Sequence, residues 1–167
     1  MENLSETSNS NIIRLNNPGK DTKTVLPKVS KGEREIVLNS TAGISVGDGI
    51  NLRSDEEYAE RIGYDYSYTK GFTSKVTKID GNIITIKDNV PYDFNVGYNL
   101  ICNVYRPVTV NLKDITFVIR GDNRGTIGIY LSNIFGGVIK NTTGENCSVS
   151  HIYLSGCYNL SINDCEI

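Results

Sequence analysis

Five carboxylates fall in the last third of the chain: Asp114, Asp122, Glu145, Asp164 and Glu166. To act as a general acid and base, two of them would have to meet within a few ångströms. Their spacing provides no such pair. Asp114 precedes an inward position, and Asp122 lies in the bend Gly121-Asp122-Asn123-Arg124-Gly125, where an Asx side chain commonly satisfies its own backbone. The lone His151 has no Ser-His-Asp motif around it, and strand alternation turns it outward beside Tyr153, so a surface histidine is expected. Cys102, Cys147, Cys157 and Cys165 form no CxxC pair and no metal-ligand spacing with His151. They are expected as reduced thiols, with Cys157 and Cys165 filling inward positions as small apolar groups. No catalytic, cofactor-binding or metal-ligating residue is assigned, and no cofactor is expected.

Tyrosine is the other side chain with chemistry to offer. Four of the ten tyrosines fall between positions 58 and 68, and Tyr64, Tyr66 and Tyr68 alternate, which puts three amphipathic rings on one side of an extended segment. Such rings suit sugar or protein contacts, or they pack back on their own domain. The nearby acids Glu56, Glu57 and Glu60 read as a solvated face or the start of a short helix. Farther on, Ile129-Tyr130-Leu131-Ser132 recurs as Ile152-Tyr153-Leu154-Ser155, an offset of 23. With that offset Ile134 falls on Cys157, Phe135 on Tyr158, Ile139 on Ile162 and Asn141 on Asp164. The apolar spacing of Leu112, Ile115 and Phe117 returns 50 residues on at Ile162, Cys165 and Ile167, with a weaker match through Ile139, Thr142 and Gly144. Repeats of this length stack, so Tyr130 and Tyr153 are expected to lie one above the other on the outside. A surface for sugar stacking, a contact between copies, and an exposed β-favouring residue repeated by the coil are all compatible with that placement.

Strands must position these residues. The chain has 167 residues, with 20 Ile and 13 Val against 10 Leu and 2 Ala, and 19 Asn, 16 Gly and 13 Thr to supply bends. That balance excludes a helical bundle. Three segments follow. Residues 1–24 are polar and are expected as a flexible or partner-ordered N-terminal arm, whose Ile12, Ile13 and Leu15 are the candidate anchor. Residues 25–106 alternate short apolar runs with turns and read as a small β-sandwich or barrel-like domain, with a loop from Ser54 to Ser74. Its clearest hairpin is Asp80-Gly81-Asn82 between Lys75–Ile79 and Ile83–Ile86. Residues 107–167 begin a parallel coil. The expected class is all-β, a small antiparallel β-domain followed by the first turns of a right-handed parallel β-helix.

Charge narrows the partners. A net charge of −2 offers no basic field for nucleic acid or for an anionic membrane, and no run of roughly 18 apolar residues is present to span one. The start, Met1-Glu2-Asn3-Leu4, lacks the basic and apolar regions of a secretory signal, which weighs against a bacterial surface adhesin.

The run VSKGEREIVLNSTAGISVGDGINL (29–52), its continuation KVTKIDGNIITIKDNVPYDF (75–94) and the rung-like PVTVNLKDITFVIRG (107–121) resemble the particle-proximal part of phage tailspike and tail-appendage proteins of the pectate-lyase-like, right-handed β-helix superfamily. The resemblance implies a virion protein made in the host cytoplasm, commonly a homotrimer, that docks to other tail or collar proteins and supports recognition of host cell-surface polysaccharide. It also implies an alternative, a polysaccharide lyase or hydrolase whose catalytic rungs lie beyond residue 167. With two and a half to three turns in hand, the coil is expected to be the start of a longer one or to be covered by a second chain.

Overall fold

The structure is a computed structural model that describes residues 11–59, 68–119, 126–147 and 149–166. It divides into two compact units, one formed by residues 18–107 and the other by the N-terminal residues through 17 together with 108–167. No helix among the described residues is long and apolar enough to cross a membrane.

The first unit is a six-stranded antiparallel sheet. In chain order its strands are β2 (Asp21–Thr24), β3 (Glu35–Val37), β4 (Gly49–Ala59), β5 (Tyr68–Asp80), β6 (Ile83–Ile86) and β7 (Ile101–Tyr105), and their order across the sheet is β2-β7-β4-β5-β6-β3. The expected hairpin joins β5 to β6, with Gly81 at φ 56°, a left-handed geometry that glycine adopts without strain. Two edge strands would leave backbone groups unpaired. Here a Val25–Leu38 bridge just beyond β2 and β3, with Leu26 N–H donating to Val37 O at 3.1 Å, draws the edges together and curls the sheet. Inside lie Ile36, Leu38, Ile50, Leu52, Ile84, Ile86 and Phe94, all fully buried. Each such aliphatic side chain contributes about 1.5–3 kcal/mol of transfer free energy.

The Val46-Gly47-Asp48-Gly49 turn entering β4 is held by its acid. Asp48, 4% exposed, accepts the Ser45 N–H at 2.8 Å and the Lys20 ammonium at 2.7 Å through the same oxygen. Beyond that point β4 and β5 run on together as a long ribbon. The loop expected over Ser54–Ser74 is therefore strand through Ala59 and again from Tyr68; Glu56 and Glu57, expected on a solvated face or short helix, are strand residues, and Glu60 lies outside the described residues. Irregular register between Arg53 and Glu57, and again between Glu57 and Ala59, bends the ribbon.

The second unit is a parallel coil. Its strands are β1 (Asn11–Asn16), β8 (Val110–Val118), β9 (Ile127–Ser132), β10 (Gly137–Glu145), β11 (Ser150–Ser155) and β12 (Leu160–Asn163), arranged as two parallel sheets, β1-β9-β11 and β8-β10-β12. The register follows the repeat residue by residue: Ile129 pairs with Ile152, Tyr130 with Tyr153, Leu131 with Leu154, and Ile139 with Ile162. Leu112, Ile115 and Phe117 pair with Ile139, Thr142 and Gly144. Asp114, Asn141 and Asp164 occupy one equivalent place in successive turns, each left-handed at φ 55°, 51° and 52°, so each rung bends there on a residue type that tolerates the conformation.

Residues 11–24 differ from the expected free or partner-ordered arm. Residues 11–16 are β1, a rung whose partner is the chain's own β9, and 21–24 are β2 in the antiparallel sheet. The reason is pairing: β1 satisfies the free backbone edge of β9 and sets Ile13 and Leu15 in register with Ile129 and Leu131.

Candidate functional site

The two tyrosines of the repeat form a ladder on the outside of the coil. Tyr130 and Tyr153 stack with ring centroids 5.4 Å apart and planes 6° from parallel, and the Arg14 guanidinium carbon lies 5.2 Å from the centre of the Tyr130 ring. Arg14, Tyr130 and Tyr153 share one register position on β1, β9 and β11. The ladder is thus a cation and two stacked rings. Arg14 is the member that sequence reasoning missed, and the signal that could have found it is the Ile-x-Leu alternation of Ile13 and Leu15, which matches Ile129 and Leu131. Of the three candidate anchor residues, Ile13 packs against the coil interior, while Ile12 and Leu15 remain 45% and 38% exposed.

Asp114 and Asp164 occupy the same place two turns apart in the coil. Asn141 separates Asp114 from Asp164, donating to the Asp114 carboxylate at 2.7 Å, while Lys140 pairs with Asp164 at 3.7 Å. Asp122 and its bend lie outside the described residues. Among the described residues no group of three or more His, Cys, Asp or Glu side chains is placed to hold a metal ion.

His151 corrects the expectation of an outward histidine. It is half-buried, and its Nε2 lies 2.7 Å from the Gly144 carbonyl oxygen. Two glycines make the room. A Cβ on Gly144 would meet the Phe117 ring at 2.5 Å and the His151 ring at 2.6 Å, and a Cβ on Gly128 would meet the same Phe117 ring at 2.4 Å. The weak match of Gly144 to the rung pattern is therefore the space that Phe117 fills. Burial pushes the Cys102 thiol up to about 12, which keeps it protonated and unreactive. Cys165 accepts the Thr142 hydroxyl at 3.0 Å inside the coil.

In the sheet unit the tyrosine-rich segment resolves differently. Tyr64 and Tyr66 lie outside the described residues. Tyr68 opens β5, opposite Ala59, and is 53% exposed. Tyr58, which the alternation did not single out, is 63% exposed and packs tilted against Tyr92, with ring centroids 5.3 Å apart and planes at 35°. Tyr92 in turn packs at 5.1 Å on the fully buried Phe94, and its hydroxyl donates to the Gly71 carbonyl and accepts the Gly71 N–H at 3.1 Å. Lys70 closes the arrangement, reaching Glu56 at 2.6 Å and the Asp93 carbonyl at 2.8 Å, with its ammonium 6.0 Å from the Tyr92 ring centre. The Lys70 hydrogen bond holds the Glu56 carboxyl below its ordinary range; burial opposes the effect and the Asn95 N–H assists it.

Three solved tailspike structures are similar to this fold. The chain aligns with the gp54 tailspike of Acinetobacter baumannii bacteriophage AP22, solved in complex with A. baumannii capsular saccharide, at a TM-score of 0.57 and 16% identity over 84% of this chain. It aligns with the tailspike gp49 of Pseudomonas phage LKA1 at 0.58 and 15% over 93%, and with the tailspike gp61 of Pseudomonas phage phi297 at 0.53 and 16% over 85%. The chain has a tailspike-like fold. It spans 24% of the first of those proteins and 30% of the other two. No protein-family model matches the sequence, and no curated protein is significantly similar to it. The tailspike-like character thus rests on three-dimensional arrangement, an antiparallel curled sheet and a parallel coil.

Proposed function

We propose that the chain is the particle-proximal part of a phage tailspike or tail appendage, which attaches to the virion and supports recognition of a host-surface saccharide. The observation that carries this reading is the match of both the curled sheet and the coil, over 84–93% of the chain, to tailspikes, one of them holding capsular saccharide. Homotrimer assembly along the coil is part of the proposal, with the Tyr130–Tyr153 ladder as a contact. Ile12 and Leu15 are the exposed apolar residues of β1 that would meet a tail or collar protein. Asn141 stands between Asp114 and Asp164 in their ladder, so the alternative, a polysaccharide lyase or hydrolase, would draw its catalytic carboxylates from rungs beyond residue 167.

Immunogold electron microscopy of purified particles, with antibody raised against the chain, tests the placement. Label at the tail is expected; particles that carry the protein nowhere would overturn the reading. Sedimentation of the purified chain tests assembly, with three times the 18.4 kDa chain mass expected and a monomer at micromolar concentration contradicting the trimer.

A further inference from the structure

We propose that the outer face of Tyr58 is a stacking platform for an uncharged saccharide residue, a site in the sheet unit separate from the tyrosine ladder of the coil. The proposal rests on the saccharide-recognition reading above and adds to it a place and a ligand class.

An exposed tyrosine on a floppy loop would carry little weight. Tyr58 is instead fixed from below. Its ring packs tilted against Tyr92, Tyr92 is pinned at its hydroxyl to both polar groups of the Gly71 backbone, and Tyr92 leans on Phe94 in the core. The side chains of Lys70 and Glu56, 13% and 18% exposed, lock the strands beneath it. The register irregularities of β4 on either side of Glu57 turn the ribbon at this point, and such bulges re-aim side chains at functional positions. The ring is thus held before any ligand arrives, so stacking on it costs little ordering entropy. No hydrogen bond engages the Tyr58 hydroxyl among the described residues, and the ring remains 63% exposed.

The surroundings select the ligand. A pyranose presents a C–H face that packs on an aromatic ring and a rim of hydroxyl donors. Asp55 and Glu57 precede Tyr58 on β4 and Asp93 follows Tyr92, three exposed carboxylates that give the neighbourhood an acidic character; Asp55 also accepts the Asn99 amide at 3.2 Å and Asp93 the Lys31 N–H at 2.9 Å. Among the described residues, the cation that contacts this cluster is Lys70, and it is engaged by Glu56 and the Asp93 carbonyl. A uronic or sialic acid would bring its carboxylate against this acidic rim unpaired, whereas a neutral hexose or N-acetylhexosamine would not.

Saturation-transfer difference NMR on the full chain tests the platform, with chitotriose and maltotriose as neutral probes and trigalacturonate as the acidic one. Transfer to the ring protons of a neutral probe is expected, with little to trigalacturonate. Tyr58→Ala should weaken the neutral binding about tenfold, the scale of one lost aromatic stack, and Tyr58→Phe should retain it. An unchanged far-UV circular dichroism spectrum for both variants keeps the comparison about the ring. Absence of transfer from both neutral probes, equal transfer in Tyr58→Ala, or preference for trigalacturonate would each overturn the platform. Transfer that survives Tyr58→Ala but vanishes in the Tyr130→Ala, Tyr153→Ala double variant would overturn it while leaving saccharide recognition standing. The immunogold result is independent of all these outcomes, so failure of the tail reading is distinguishable from failure of the site.

Discussion

The curled sheet and the parallel coil solve the same problem, hiding apolar side chains and backbone edges, by opposite means. The sheet turns its edges toward each other through the Val25–Leu38 bridge and gathers fifteen buried apolar residues into one cluster, whereas the cluster of the coil holds six among the described residues. In the coil, each outer strand has a neighbour on one side only among the described residues, so Leu15, Leu154 and Ile162 stay 38%, 39% and 44% exposed although they occupy inward stacks. The difference teaches where each unit is sensitive: the sheet to loss of volume in its centre, the coil to anything that disturbs the contact between successive rungs.

The sharpest way to break that contrast is at Gly137. Its φ of +127° is closed to other residues, and a Cβ there would lie 1.8 Å from the Val110 carbonyl oxygen on the neighbouring rung. Gly137→Ala is expected to cost more than about 3 kcal/mol and to unfold the coil. Hydrogen exchange should show loss of protection in β8 and β10 while β4 and β5 keep theirs; protected coil amides would contradict the rung geometry.

Leu52→Ala is the matching test of the sheet. This side chain is fully buried in the central strand β4, and its truncation is expected to cost about 2–5 kcal/mol by urea denaturation. A smaller loss would mean that the curled sheet collapses into the gap and is less sealed than its burial suggests.

Gly144→Ala should cost about 1–3 kcal/mol through overpacking against Phe117. Combining it with Phe117→Leu should recover part of that loss, a coupling that a double-mutant cycle measures. Additive losses would show that the glycine serves only the backbone.

The smallest effect concerns acid. The folded-state value of Glu56 lies below its ordinary 4.5, so its contribution is complete above that pH and is lost as the pH falls through the lowered value. Thermal melts at pH 7 and pH 3 should differ less for Glu56→Gln than for the natural chain, and an equal pH response would dismiss the Lys70–Glu56 pair as a support of the ribbon.

The coil was legible because stacking writes itself into sequence. Residues 23 apart share an environment, so Ile-Tyr-Leu-Ser recurs, and left-handed bends select Asn or Asp at 114, 141 and 164. Rung β1 was not legible, since its partner lies more than a hundred residues away and parallel pairing leaves no turn between the two strands. The ribbon hid for a different reason. Asp55, Glu56 and Glu57 disfavour strands in isolation, and their pairing partners on β5 supply what propensity does not. His151 was misplaced because alternation assumes a side chain at every neighbour, and Gly128 and Gly144 have none. Of the outward sites, the tyrosine ladder could be read in advance, but Tyr58 could not, since its platform is built by Tyr92, far along the chain.

Phe117 carries a further consequence, for assembly. Rungs with nearly identical sequences invite a strand to pair one turn out of place, a trap that slows folding and feeds aggregation. The Phe117 ring fits because Gly128 and Gly144 lie against it. Twenty-three residues farther along, the positions matching those two glycines are occupied by His151 and Ile167. A displaced β8 would drive the ring into side chains. One phenylalanine and two notches thus let a nascent coil tell its first rung from its second.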